Sequence, residues 1–232
     1  MRLILLCFIS MLVSNSCLSQ EGTVSFSDAI KPHLNKYNLQ SDLEYERGDV
    51  AKGQFLFDSL VQHYLVGSRF NDYALKNVSG GKVRLGKIKK PILIITYASW
   101  CVLNKGEVPA LNKLSKKYSK DVQIVVLFWD KKANVRKISR KFAGGIKVCY
   151  ANESYRNDSG IVSTLKHTLG FPTSYYLNSD LNVVDIKRGG VATDNKITYL
   201  NAYNLNYTLF NERLKNFLVK KDEVKSQLVA TE

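Results

Sequence analysis

Sulfur and imidazole are scarce in this sequence. Its 232 residues include four cysteines, three histidines, four prolines and two methionines. No two cysteines stand two to four residues apart, which excludes a zinc finger or ribbon, because those sites need closely spaced thiolate pairs. Four cysteines are also too few for a disulfide-dense scaffold. Neither a metal nor an organic cofactor is expected. Acidic residues are in deficit as well: 20 Asp and Glu face 34 Lys and Arg, a net charge of +14. A nucleic-acid surface would gather such cations around stacking aromatics. Here the lysines are spread through residues 87–90, 113–120, 131–141 and 215–225, largely on the polar faces of expected helices. Nucleic acid is therefore not an expected partner. What remains is ordinary for a folded chain, 45% apolar and 23% charged, and long enough to bury its own core.

The first 19 residues stand apart. Met1-Arg2 precedes the apolar stretch Leu3–Val13, and small and polar residues follow it, Ser14-Asn15-Ser16-Cys17-Leu18-Ser19. A short charged start, an apolar core of this size and a cleavable end describe a secretory signal peptide. The core is too short to cross a bilayer, and no second apolar run approaches that length. Two readings remain for the boundary: cleavage after Ser19, or retention of Cys17 as the lipid-linked first residue of a lipoprotein. Both place the chain outside the cytoplasm, in a bacterial periplasm or cell envelope, and both leave Cys101 and Cys149 as its internal cysteines.

Residues 20–65 form an N-terminal extension, with helices expected around Phe26–Tyr37 (Ser25 as N-cap) and Phe57–Tyr64 and a polar link at residues 42–52 between them. From residue 66 the pattern sharpens. Tyr73-Ala74-Leu75 and Lys82-Val83-Arg84-Leu85 flank Ser79-Gly80-Gly81, a hairpin signature. Ile92–Ile95 and, Gln123 apart, Val122–Phe128 are apolar runs, as expected of strands buried on both faces. Val108, Leu111, Leu114 and Tyr118 fall at helical spacing between them, and Val135, Ile138 and Phe142 follow. A short strand at Ile146–Tyr150, placed toward the sheet edge, precedes a helix at Ile161–Leu169. Thr173–Leu177 and Val183–Lys187 make a second hairpin. A polar, Asn-rich connection then leads to a last helix carrying Phe210, Leu214, Phe217 and Leu218. One domain is expected over residues 66–220, with residues 221–232 as the helix end and tail. Alternating strands and helices require an α/β fold with a mainly parallel sheet covered on both faces, made mixed by the hairpins.

In open sheets of this kind chemistry gathers beyond the carboxyl ends of the parallel strands. The end of Ile92–Ile95 leads into Trp100-Cys101-Val102-Leu103-Asn104, and Glu107-Val108-Pro109 opens the next helix. A cysteine at a helix start favours its thiolate, which is the nucleophilic form. Cys149, expected two strands away, is too far for a disulfide with Cys101 and reads as a buried thiol. His167, near Gly170-Phe171-Pro172-Thr173, reads as a solvated helix residue. Matches to Asn-x-Ser/Thr at Asn77, Asn152, Asn157 and Asn206 carry little weight in so Asn- and Ser-rich a chain.

At these residues the sequence resembles the thioredoxin-like superfamily, especially its exported TlpA/ResA-like (redoxin) branch, which reads W-C-x-x-C-x-x-E-x-P-x-L after an apolar strand. Trp100, Cys101, Glu107, Pro109 and Leu111 match in register, and Gly170–Thr173 matches the branch's cis-proline loop. The resemblance implies a three-layer thioredoxin-like fold with an N-terminal β-hairpin. It further implies Cys101 as nucleophile, Glu107 as proton shuttle, and Trp100, Asn104, Phe171 and Pro172 beside the substrate. One position departs: Asn104 stands where the branch has its second cysteine. A dithiol enzyme uses that thiol to release the mixed disulfide formed by the first. The expected activity is therefore that of a monothiol oxidoreductase, its partners protein or small-molecule thiols and disulfides of the envelope, with an external thiol resolving the adduct. The alternative is a redox-silent module that holds an envelope partner in the cis-proline groove. A peroxidatic role in the same fold would want Thr at position 98, where Ala98 stands.

Overall fold

The computed structural model describes residues 23–100, 105–190 and 196–230, with side chains described as far as residue 221. The expected signal segment, Cys7 and Cys17 therefore lie outside the described residues. Helix α1 (Phe26–Glu46) starts where Ser25 supplies a cap, its Oγ accepting the Asp28 N–H at 3.2 Å, with Asp28 favouring the positive end of the helix dipole. It runs well past Tyr37 and carries Pro32 inside it. Helix α2 (Val50–Leu60) is capped by Asp49 and continues as a π-helical turn, Val61–Leu65. The link expected at residues 42–52 is thus only the turn around Gly48, whose φ of 78° suits a residue without Cβ. Charge alone does not stop a helix, and nothing in residues 38–46 breaks one.

Among the described residues seven strands follow: β1 (Ala74–Asn77), β2 (Lys82–Arg84), β3 (Ile92–Tyr97), β4 (Gln123–Phe128), β5 (Lys147–Tyr150), β6 (Thr173–Leu177) and β7 (Val183–Arg188). They form one sheet in the order β2-β1-β5-β4-β3-β6-β7. The β3-β4-β5 core is parallel, and β6, β7, β1 and β2 pair antiparallel around it. The first hairpin extends the sheet beyond β5, so Cys149 lies on the third strand from that edge rather than at it. The helices are α3 (Glu107–Lys117), α4 (Lys132–Ser139), a helical segment α5 at 159–169 with a π-helical middle (Val162–Lys166), and α6 (Tyr199–Ala230). The last helix starts at Tyr199, so the end of the expected polar connection is helical.

Strands β3 and β4 are buried on both faces, as their apolar runs require. Ile92 and Ile94 of β3, with Val125 and Leu127 of β4, pack under Phe26, Phe57, Leu60 and Leu65 of the extension and under Leu165 and Leu169 of α5. Leu93, Ile95 and Tyr97, with Ile124, Val126 and Phe128, pack against Leu111 and Leu114 of α3, Val135 of α4 and Phe210, Leu214 and Phe217 of α6. The alternation of one strand's side chains between two cores follows from the two-residue period of the pleat.

Candidate functional site

Strand β3 ends at Tyr97 beside Phe128 of β4. Tyr97 is buried, and its hydroxyl donates to Oε1 of Glu107 at 2.5 Å. Glu107 is itself only 4% exposed, so the first turn of α3 carries a buried carboxylate held by a phenol from the strand below. Burial of a carboxylate costs several kcal/mol unless hydrogen bonds replace its water, and the Tyr97 hydroxyl supplies one of them. Two residues past the end of β4, Asp130 accepts two bonds from Ser99, from its N–H at 2.5 Å and from its Oγ at 2.7 Å. That pair fixes the backbone two positions before Cys101.

The second wall is the loop between α5 and β6. The Phe171–Pro172 peptide is cis. On one side Thr96 of β3 clasps Thr173, its hydroxyl donating to the Thr173 carbonyl and accepting the Thr173 N–H, both at 3.1 Å. On the other side the Gly189 N–H donates to the Pro172 carbonyl at 2.9 Å. Arg188 donates to the Leu169 carbonyl at 3.1 Å, and its guanidinium lies over the rings of Phe57 (4.7 Å) and Tyr37 (5.7 Å). The extension therefore reaches the proline loop through one arginine. Across the groove, Trp100 is 73% exposed and meets Phe171 edge to face, with ring centroids 5.6 Å apart.

The start of α3 is set from a distance. Gly106, at φ 80°, precedes it, and a Cβ there would stand 2.5 Å from the Tyr203 backbone of α6. Asn206, fully buried one turn further along α6, donates to the Ala202 carbonyl at 2.8 Å and the Lys105 carbonyl at 3.4 Å. Only glycine admits both the left-handed backbone and so close a helix.

The AhpC/TSA family model matches residues 66–157, from the turn before β1 to the approach to α5. Together with the β3-β4-β5 core, the antiparallel β6-β7 pair and the cis-proline loop facing the end of β3, this decides the class. The fold is thioredoxin-like. A thioredoxin-like protein, YneN, of Bacillus subtilis (strain 168) is 27% identical over 124 residues, 53% of this chain and 71% of the relative. Among solved structures, a putative thiol:disulfide interchange protein DsbE from Chlorobium tepidum is similar at 20% identity and TM-score 0.49, over 66% of this chain and 97% of that one. The thioredoxin domain of a thiol-disulfide oxidoreductase from Bacteroides vulgatus is similar at 16% identity and TM-score 0.47, over 63% and 96% of the two chains.

In this thioredoxin-like fold Trp100, Glu107, Phe171 and Pro172 converge on the carboxyl end of β3, while Cys101 and Asn104 lie outside the described residues. Cys149 does not join them. It is fully buried, packs in the core under the extension, and belongs to the face of the sheet opposite α3. Burial pushes its thiol up to about 12. His167 is exposed, 3.3 Å from Glu153. Among the described residues no group of three His, Cys, Asp or Glu side chains is arranged to hold a metal, and no helix is long and apolar enough to cross a membrane. Sequence reasoning missed Tyr97, Asp130, Gly106, Asn206 and Arg188. Two of these left a local signal: Gly106 directly before an acidic helix start, and Asp130 directly after an apolar strand.

Proposed function

We propose that the chain is an exported monothiol oxidoreductase. Cys101, as thiolate, attacks a sulfur of a partner's disulfide; an S–S bond forms to Cys101, the partner's S–S bond breaks, and its second sulfur leaves as thiolate. An external thiol then attacks the mixed disulfide, taking Cys101's place and releasing it as thiolate. Asn104 supplies no internal thiol for that step, and Cys149 is removed from it by burial on the far face. The observation that carries the reading is the groove itself. An exposed tryptophan immediately before Cys101 stands against Phe171 and a cis proline, while Glu107 is held in the first turn of the helix beyond. Phe171 and Pro172 form the wall along which an extended substrate would lie, and Glu107 is the group that would move a proton to or from sulfur. Ala98, in place of a peroxide-orienting threonine, argues against a peroxidase.

Alkylation of the full chain with iodoacetamide across pH tests this, with Cys101→Ser as the blank. A midpoint well below the ordinary thiol value of about 8.5, with partner proteins trapped as reducible adducts, is the expected result. A midpoint at or above that value, with no adducts, favours the second reading, a redox-silent binding module. The exposed Trp100–Phe171 pair is what recommends that reading, since such a wall binds an apolar partner without any thiol. Export is tested by N-terminal sequencing of the mature chain, where a start at residue 20 and a lipid-modified Cys17 are the two expected alternatives.

A further inference from the structure

Half of the chain's excess charge is concentrated in one stretch. Between Asp130 and Glu153 the sequence holds seven lysines and arginines and no acid. Helix α4 sets three of these cations, Lys132, Arg136 and Arg140, four residues apart on one face. That face borders an open cleft of about 400 Å³, closed on the other side by Val78 and Ser79 of the β1–β2 turn, with Ser139 at its rim. Like charges at this spacing repel along a helix. Elsewhere in the fold a lysine in a crevice meets a carboxylate: Lys76 meets Asp158 at 2.9 Å, Lys166 meets Glu153 at 2.5 Å, and Lys187 meets Asp58 at 3.6 Å. Among the described residues Lys132, Arg136 and Arg140 form no ion pair, and no acidic side chain lines the cleft.

We propose that the cleft between α4 and the β1–β2 turn is a binding site for a phosphate-bearing anion. Two guanidinium groups present planar pairs of N–H donors that match phosphate oxygens, Lys132 adds a point charge, and the hydroxyls of Ser79 and Ser139 lie within the same cleft. Concavity matters here, because converging cations raise the local potential more than the same charges on a convex helix face. The cleft shares no lining residue with the groove of Trp100, Phe171 and Pro172.

Two sources offer this chemistry, a soluble phosphate compound and the headgroup of an anionic lipid. Titration calorimetry of the full chain with inorganic pyrophosphate at low and at physiological salt tests the first. Co-sedimentation with phosphatidylglycerol vesicles, against phosphatidylcholine vesicles, tests the second. Arg136→Gln with Arg140→Gln removes the two forks, and Lys113→Gln with Lys116→Gln removes the same charge from the exposed face of α3. Thermal melts confirm that both variants fold, and Lys132→Gln replaces the double variant should it not. Saturable pyrophosphate binding that the cleft variant weakens about tenfold or more, and the α3 variant leaves intact, supports a soluble ligand. Binding to the anionic vesicles alone, with the same dependence on variant, supports the headgroup. Absence of binding in both assays, or equal weakening by the two variants, overturns the proposal, since diffuse surface charge then accounts for everything.

Discussion

One face of the sheet is closed by the extension and α5, the other by α3, α4 and α6. The first core is rich in aromatic rings: Phe26 packs 5.3 Å from Phe70 and 6.0 Å from Tyr175, and Phe57 packs 6.3 Å from Tyr37. The second holds as many buried rings, Tyr97, Tyr118, Phe128, Tyr176, Phe210 and Phe217, under helices that carry nine of the chain's 25 lysines. The family match at residues 66–157 includes α3 and α4 but neither the extension nor α6. Yet Phe26, Phe57, Leu65 and Leu214 are all fully buried. Each face thus depends on a segment the family pattern does not describe. Each of those segments also touches the site, the extension through Arg188 to the proline loop and α6 through Tyr203 and Asn206 to the start of α3. A segment that fills a core and braces a loop of the candidate site is part of the domain's structure rather than an appendage.

The comparison breaks first on core truncations. Phe57→Ala is expected to cost about 3–5 kcal/mol and Leu214→Ala about 2–5 kcal/mol, measured by urea unfolding. A loss below about 1 kcal/mol for Phe57→Ala shows the extension to be a loose cover and the two faces unequal. Gly106→Ala is expected to cost about 1–3 kcal/mol, because α6 stands where the new methyl must go; it also displaces the start of α3, so Cys101 alkylation changes rate along with the melting temperature. Tyr97→Phe is expected to cost about 1–3 kcal/mol by removing a donor from buried Glu107, with the pH profile of Cys101 alkylation shifting while Cys149 is untouched. The smallest effect belongs to the first core. Native Cys149 is expected to stay unlabelled by iodoacetamide at pH 8.5 and to react fully in urea. Because its folded pKa lies above the unfolded one, the unfolded chain releases the proton first, so this thiol subtracts stability as pH rises above the ordinary thiol value. Cys149→Ala should flatten the alkaline limb of the stability profile.

Much of the layout was legible in the sequence. Apolar runs at Ile92–Ile95 and Val122–Phe128 found the central strands, because only strands buried on both faces lose the alternation of polar and apolar residues. The three- and four-residue steps from Leu111 to Leu114 and Tyr118 found α3, and the resemblance of Gly170-Phe171-Pro172-Thr173 to the branch's motif found the proline loop. Boundaries were weaker where polarity was mistaken for irregularity, at residues 42–52 and 199–208. Charged and amide side chains are compatible with a helix whose one apolar face is packed, and only the partner face reveals this.

The sequence by itself determined the alternation of strands and helices, the place of the cysteine at the end of β3 and the missing thiol at Asn104, since these depend on local pattern and on residue identity. The tertiary structure alone decided which groups meet there. Tyr97 finds Glu107, Asp130 finds Ser99, and Arg188 joins the extension to the proline loop, over separations along the chain that no periodicity encodes. It also decided the fate of the second thiol, for the pleat turns Cys149 to the face opposite α3, and burial holds it neutral.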